Sequence, residues 1–333
     1  LFRSAAYDPE QTYYTYEYSW SGAIYNEIEL ADEAAYKAEL EKGTNLYVTD
    51  GTEYYQYCTA MPIGTLLAQT WDPALVEKVG RAVAVEMKEY GVTSWLAPGM
   101  NIHRNPLCGR NFEYYSEDPL VSGLTAAAET KGVETNEDGS ESGVGVTLKH
   151  FAFNSQENTR MGSNSVLSER AAREIYLKGF EIAVEEAQPD YVMSSYNMVN
   201  GYSTFEHYGL LTEILRNEWA FEGFVMTDWY SVGTVYGKNA GQNVQAWLNY
   251  AGNDCEMPGN NVEKVLEALE DGSVMRLGDL QRSAMAMLNV IKDSEVFEVT
   301  LDKIIENSDD PEQVAEAQSA KDILAQGSEM CKE

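Results

Sequence analysis

Hydrophobic positions along the chain change period several times, and each change marks an element. Over Ala74–Tyr90, Leu75, Val79, Val83 and Met87 recur every four residues, which predicts a helix with one apolar stripe. Ser168–Ala187 is amphipathic over a longer span, with Ser168 in the position of an N-cap. Between such stretches lie short apolar runs at Val92–Leu96, Val144–Leu148, Tyr191–Ser195 and Phe224–Met226, which predict buried strands. Leu210–Trp219 predicts a helix before the last of these. Further helices are expected around Val262–Leu269, Gly278–Ile291 and Pro311–Ala325. Nearer the N-terminus, Glu29–Gly43 is charged and helical in pattern, with Gly43 as its cap. Leu46–Val48 is a short strand before Thr49-Asp50-Gly51, and Tyr13–Tyr18 is tyrosine-rich and polar.

Strands alternating with helices imply βαβ units and a parallel sheet. The expected fold class is α/β, a (β/α)8 barrel of the TIM type, irregular in its N-terminal part. A doubly wound open sheet is the alternative. The expected division is an N-terminal linker or barrel edge at 1–44, a barrel domain at 45–296 and a helical extension at 297–333. No repeat of 20–50 residues suggests a solenoid.

Charge narrows the partners. The 333 residues carry 54 acidic and 23 basic side chains, a net charge of −31. A phosphate backbone or an anionic membrane would be repelled, so neither nucleic acid nor membrane is expected as a partner. Cys58, Cys108, Cys255 and Cys331 show neither a disulfide framework nor zinc spacing, and histidines number three. No metal and no cofactor is therefore expected. No apolar run reaches membrane-spanning length, and the opening LFRSAAYDPEQ carries no signal-peptide hydrophobic region. With unpaired cysteines this leans towards a cytoplasmic location, secretion staying open.

The chemistry gathers where predicted strands end. Gly223–Trp229 runs from apolar Phe224-Val225-Met226 straight into Thr227-Asp228-Trp229, and in a barrel the C-terminal strand ends form the active face. Asp50, Lys149, His150 and Tyr196 occupy similar positions. The loop Asn101–Pro119 adds Arg104, Arg110, Glu113, Glu117 and Asp118. Each has a plainer reading. Asp228 suits an N-cap, Arg110 a local pair with Glu113, Tyr196 and His150 the core, and Glu117-Asp118 a turn. Their joint placement favours one polar pocket. Carboxylates, cations and an indole together suit a sugar, whose hydroxyls need charged partners and whose ring face stacks on tryptophan. No phosphate-binding glycine loop is present, whereas paired carboxylates fit glycoside hydrolysis.

The runs PIGTLLAQTWDP, GMNIHRNPLCGRNFEYYSEDP, LKHFAFNSQENTR, SERAAREIYLKGFEIAVEEA, VMSSYNMVNG, LLTEILRNEWAFEGFVMTDW and AGNDCEMPG occur in order from Pro62 to Gly259. Together they resemble glycoside hydrolase family 3, the β-glucosidase and β-xylosidase family. The resemblance implies a (β/α) barrel as catalytic domain and a retaining, two-step mechanism. By motif, Asp228 of MTDW matches the nucleophile and Trp229 the adjacent sugar-stacking tryptophan. Arg110 of GRNFE, Lys149 and His150 of KHF, Arg160, and Tyr196 of SSYN match residues that hold the glycone hydroxyls. Asp50 looks like the aspartate on the far side of the same sugar. KHFAFNSQ departs from the KHFPGHG-type run of the branch with a histidine acid/base, so that chemistry is not expected.

Other departures bear on completeness. Thr52-Glu53-Tyr54-Tyr55 stands where the family has a proline and a sugar-binding arginine. The family's acid/base glutamate usually lies on an α/β sandwich domain, and nothing after Gly259 resembles one. Leu277–Glu295 resembles the barrel's end in a branch where the sandwich comes first. The expectation is a barrel with a separate sandwich domain as partner, supplying that glutamate. The implied function is a retaining exo-β-glycosidase, a β-glucosidase acting on oligosaccharides or aryl and alkyl β-glycosides. A β-xylosidase and a sugar-binding relative with weak catalysis are the alternatives. Lys149 and an arginine are expected to keep the Asp228 pKa low, and Glu113 and Glu157 to brace Arg110 and its loop.

Overall fold

The computed structural model describes residues 12–18, 24–41, 47–49 and 58–322, less 235–236, 260, 309, 312, 316 and 320. Contacts divide it into two units, Leu1–Thr59 and Ala60–Glu333.

In the first unit, β1 (Thr12–Tyr18) lies between β2 (Ile24–Glu29) and β3 (Tyr47–Thr49), antiparallel to both. Its threonines and tyrosines are good strand formers, so the polar Tyr13–Tyr18 run has a ready place in a sheet. α1 (Glu33–Glu41) separates β2 from β3 in sequence. Asp32 caps it, accepting from the amides of Ala34 and Ala35 at 3.0 and 2.9 Å. The strand expected at Leu46–Val48 is found at Tyr47–Thr49, paired with β1 and not with parallel strands. Gly43 and Asp50 lie outside the described residues.

The second unit opens with α2 (Gly64–Ala68) and α3 (Pro73–Glu89). Asp72 starts α3 by accepting from the Leu75 amide, and Pro73 fits the first turn, where no amide hydrogen is needed. The buried face of α3 is Val76, Gly80, Val83, Ala84 and Met87. Leu75, expected on that face, is 42% exposed. The reason is the crossing with α4 (Pro119–Glu134), which follows β4 (Ser94–Trp95). A Cβ on Gly132 would sit 2.1 Å from the Glu77 carbonyl oxygen, and one on Gly80 2.6 Å from that of Glu129. The helices touch backbone to backbone along the glycines.

Next come β5 (Gly145–Phe151) and β6 (Asn164–Ser165). The predicted helix 168–187 forms in three pieces: α5 (Glu169–Ala171), a π-helical Ala172–Tyr176, and α6 (Lys178–Ala187). Ser168 Oγ accepts from the Ala171 amide at 3.2 Å, as its capping position predicts. Then follow β7 (Tyr191–Ser194), β8 (Met198–Val199) and β9 (Tyr202–Ser203). β8 and β9 are joined by Asn200-Gly201, both with positive φ, the preferred chemistry of a tight hairpin. A π-helical Gly209–Glu218 precedes β10 (Phe224–Met226). The unit closes with α7 (Val244–Ala251), α8 (Val262–Asp271), α9 (Leu277–Lys292) and α10 (Glu295–Asn307).

β4, β5, β7 and β10 form one parallel sheet in the order β10-β7-β5-β4. A parallel bridge from Met226 to Cys255 extends it past β10. The α/β class and the parallel sheet are those the alternation implies. Among the described residues the sheet has four strands, and it is packed on both faces. Val146, Leu148, Val192 and Val225 join one cluster, in which the rings of Phe180 and Trp219 meet Phe151 edge-on at 5.2 and 5.9 Å. Tyr191, Met193, Phe224 and Met226 form a second cluster, covered by Ala286 and Val290 of α9.

Candidate active site

Strand register sets the site. Lys149 and His150 stand at the C-terminal end of β5, and the chain after β4 lies alongside through a bridge from Gly99 to Lys149. Asn101 locks this edge. Its side chain donates to the His150 carbonyl and accepts from the His150 amide, both at 2.9 Å. The parallel neighbours β7 and β10 end at the same level, delivering Tyr196 and then Asp228 and Trp229. The Tyr196 hydroxyl donates to the Trp229 carbonyl at 2.6 Å, tying the two strand ends together.

Cations enter along a chain of ion pairs. Glu113 accepts from Arg110 Nε with one oxygen and lies 3.3 Å from Lys149 Nζ with the other. Glu157 faces Arg110 at 3.8 Å and Arg160 at 2.9 Å, and also accepts from Asn154 at 3.1 Å. Arg160 in turn lies over the Tyr196 ring, 4.4 Å from its centre. Burial pushes the Glu113 carboxyl up, but Arg110 and Lys149 more than offset this and hold it below the usual glutamate value. Both glutamates are thus committed to orienting cations.

Asp228 is 8% exposed. Its Oδ1 accepts from the Trp229 amide at 2.7 Å, while Oδ2 is buried and has no hydrogen-bond partner among the described residues. That second oxygen lies 3.6 Å from His150 Nε2. Burial drives the imidazole well below its ordinary pKa, helped by Arg110, Lys149 and Arg160, so His150 is neutral and the contact is not an ion pair. His150 Nδ1 lies 3.3 Å from both the Tyr114 hydroxyl and Asn101 Oδ1. Accepting from Tyr114 would leave Nε2–H to face Asp228.

The Asp228 carboxyl itself is raised above the ordinary aspartate value. Burial outweighs the Trp229 amide, Arg110, Arg160 and the Tyr196 hydroxyl, which pull it down. This corrects the expectation of a lowered pKa. Lys149, expected to contribute, is spent on Glu113.

Arg110, Lys149, His150, Arg160, Tyr196, Asp228 and Trp229 are therefore brought together, and Asp50 lies outside the described residues. Arg104 stands apart, donating to the Tyr176 hydroxyl at 3.0 Å. Asp118 caps α4, accepting from Leu120 and Val121. Sequence reasoning missed Asn101, Tyr114 and Asn154. All three lie within runs already singled out as motifs, the one signal available. Among the described residues no cluster of His, Cys, Asp and Glu could hold a metal ion.

Residues 46–290 match the family model described as glycosyl hydrolase family 3 N terminal domain. The chain belongs to glycosyl hydrolase family 3. Among relatives in this family, beta-glucosidase A of Butyrivibrio fibrisolvens is 46% identical over 224 residues, which is 67% of this chain and 25% of that protein. An exo-alpha-(1->6)-L-arabinopyranosidase of Bifidobacterium breve is 41% identical over 234 residues, 70% of this chain and 29% of that protein. Beta-glucosidase 3B of Thermotoga neapolitana, solved with alpha-D-glucose, aligns at 39% identity with a TM-score of 0.67, covering 84% of this chain and 40% of that one. The chain thus spans roughly a quarter of the length of the curated family 3 relatives it matches. No helix among its described residues is long and apolar enough to cross a membrane.

Proposed function

We propose that this family 3 chain carries the glycone site and nucleophile of a retaining exo-β-glycosidase, a β-glucosidase. One observation carries the assignment of Asp228. In the same buried carboxylate, one oxygen is anchored by a backbone amide and the other has no hydrogen-bond partner among the described residues. An unsatisfied buried oxygen is costly, and such groups concentrate where chemistry uses them. Here the use is attack on the anomeric carbon. Oδ2 forms a bond to that carbon as the bond to the leaving oxygen breaks, giving a glycosyl-enzyme that water then hydrolyses.

The cation chain serves the sugar. Arg110, Lys149 and Arg160 are held by Glu113 and Glu157, so their remaining N–H groups can donate to glycone hydroxyls without first being ordered. Tyr196 sets the Trp229 backbone beside them, and Trp229 offers its ring to the sugar face. Asp50 completes the far side in this reading. Retention needs a second carboxyl about 5–5.5 Å from the nucleophile. Glu113 and Glu157 are engaged elsewhere, and we assign the acid/base to a glutamate of a partner α/β sandwich domain.

Glycone identity has a second reading. The similarity to an arabinopyranosidase favours a pyranose without the hydroxymethyl arm, as in a β-xyloside. Two measurements test the reading. Asp228→Ala abolishes release of an aryl group from an aryl β-glucoside, while methyl β-glucoside still binds. Equal activity in that variant would sink the assignment.

A further inference from the structure

Glu129, in the middle of α4, lies in the core and has no part in the chemistry described above. It is 4% exposed, and its Oε2 accepts from the hydroxyl of Tyr115, which is itself buried. Ala126, Ala127, Ala128, Thr130 and Val133 surround it along the helix. Burial pushes the carboxyl up to about 7, and the Tyr115 hydroxyl offsets this only in part. An apolar side chain at this position would avoid that cost.

The helix that carries Glu129 is a rigid reference. A Cβ on Gly80 of α3 would meet the Glu129 carbonyl oxygen at 2.6 Å, and one on Gly123 would meet Ile182 of α6 at 2.7 Å. α4 is thus packed backbone-close against both neighbours. Tyr115 follows directly on the residues that order the cations. Glu113 pairs with Arg110 and Lys149, and the Tyr114 hydroxyl lies 3.3 Å from His150 Nδ1. α2 grips the backbone of the same segment. The Thr65 hydroxyl reaches the Asn111 and Tyr114 carbonyls at 2.7 and 2.8 Å, and a Cβ on Gly64 would sit 2.6 Å from the Glu113 carbonyl oxygen. Glu129 adds a side-chain anchor from the core.

We propose that Glu129 is a positioning residue for sugar binding: through Tyr115 it sets Glu113 and Tyr114, and with them Arg110 and Lys149. The proposal rests on the reading of those two cations as donors to the glycone hydroxyls. A buried polar pair gains little stability over an apolar one, but it fixes one arrangement of the groups it joins.

Replacing the pair as a unit separates positioning from stability. Tyr115→Phe combined with Glu129→Leu removes both polar partners at once, so thermal unfolding is expected close to that of the unsubstituted chain. Calorimetric titration with methyl β-glucoside is expected to give a Kd about tenfold weaker, the order of one hydrogen bond to a charged group. With dinitrophenyl β-glucoside the half-saturating concentration of the burst rises alike, while its rate at saturation is unchanged. Glu129→Gln, which keeps an acceptor for Tyr115, retains the original Kd. A Kd unchanged in the double variant, or weakened equally by Glu129→Gln, overturns the positioning role and leaves the glycone reading standing. If the double variant does not fold, Tyr115→Phe alone, which deletes one oxygen, carries the same expectation and the same contradiction. Failure of the unsubstituted folded chain to bind methyl β-glucoside overturns the glycone reading and this proposal with it.

Discussion

Asp228 concentrates the physics of the site. Its carboxyl is raised above the ordinary aspartate value by burial, against the pull of the Trp229 amide, Arg110, Arg160 and the Tyr196 hydroxyl. If Asp228 is the nucleophile proposed above, it works only when ionised, and the glycosylation rate is expected to rise with pH through a pKa above 3.8. Arg160→Gln removes one of the groups holding that value down, and the acid limb of the pH–rate profile is expected to move to higher pH. An unmoved limb would mean that another group sets it. Glu113 has a different part, since it orders Arg110 and Lys149 at once. Glu113→Gln keeps the shape but loses the charge, and KM for an aryl β-glucoside is expected to rise about tenfold, equivalent to about 1.4 kcal/mol. The residues that the strand ends bring together were legible, because GRNFE, KHF, SSYN and MTDW are contiguous runs. Their energetics were not. The burial that raises Asp228, and the choice of Glu113 by Lys149, depend on neighbours remote in sequence. Asn101 was hidden for the same reason, its partner being the backbone of His150, 49 positions away.

Elements were legible where one face is dry and the other wet. α3 shows its period, although the buried stripe lies nearer Val76 than Leu75. α4 was missed because ten of its residues are buried, among them Ala126, Ala127, Ala128, Thr130 and Val133, so no polar face marks its period. The β8–β9 hairpin had a signal in Asn200-Gly201 that was not used. The α3–α4 crossing gives a stability test. Gly132→Ala places a methyl group 2.1 Å from the Glu77 carbonyl oxygen, and the helices must separate. Thermal unfolding is expected to fall by an amount equivalent to about 1–3 kcal/mol. Glu134, at the end of α4, accepts from the amides of Val146 at 2.8 Å and Asp190 at 3.0 Å, pinning the starts of β5 and β7. Glu134→Ala strands both amides and is expected to destabilise by about 2–4 kcal/mol in urea unfolding. A loss under 0.5 kcal/mol in either variant would show that the contact carries no weight.

For the whole molecule, the alternation of strands and helices conveyed the α/β class and the parallel sheet but not how the sheet is covered. Tyr191 and Phe224 pack towards α9, a long-range contact that local periodicity does not encode. The net charge of −31 sets the molecule against polyanions, as its composition implies. Completeness is the functional question at this scale, given that the chain spans about a quarter of its curated relatives. If the acid/base lies on a partner domain, the chain alone should show a steep dependence on the leaving group. A dinitrophenyl β-glucoside, whose phenolate departs without protonation, is expected to react, and an alkyl β-glucoside is not.

The central claim is that Asp228 forms a covalent glycosyl-enzyme. The most direct test is rapid mixing of the chain with dinitrophenyl β-glucoside, followed by quenching, digestion and mass spectrometry. The account predicts a burst of dinitrophenol equal to the enzyme concentration, and a hexose adduct on the peptide containing Asp228. No burst from the folded chain, or an adduct on any other residue, would contradict it.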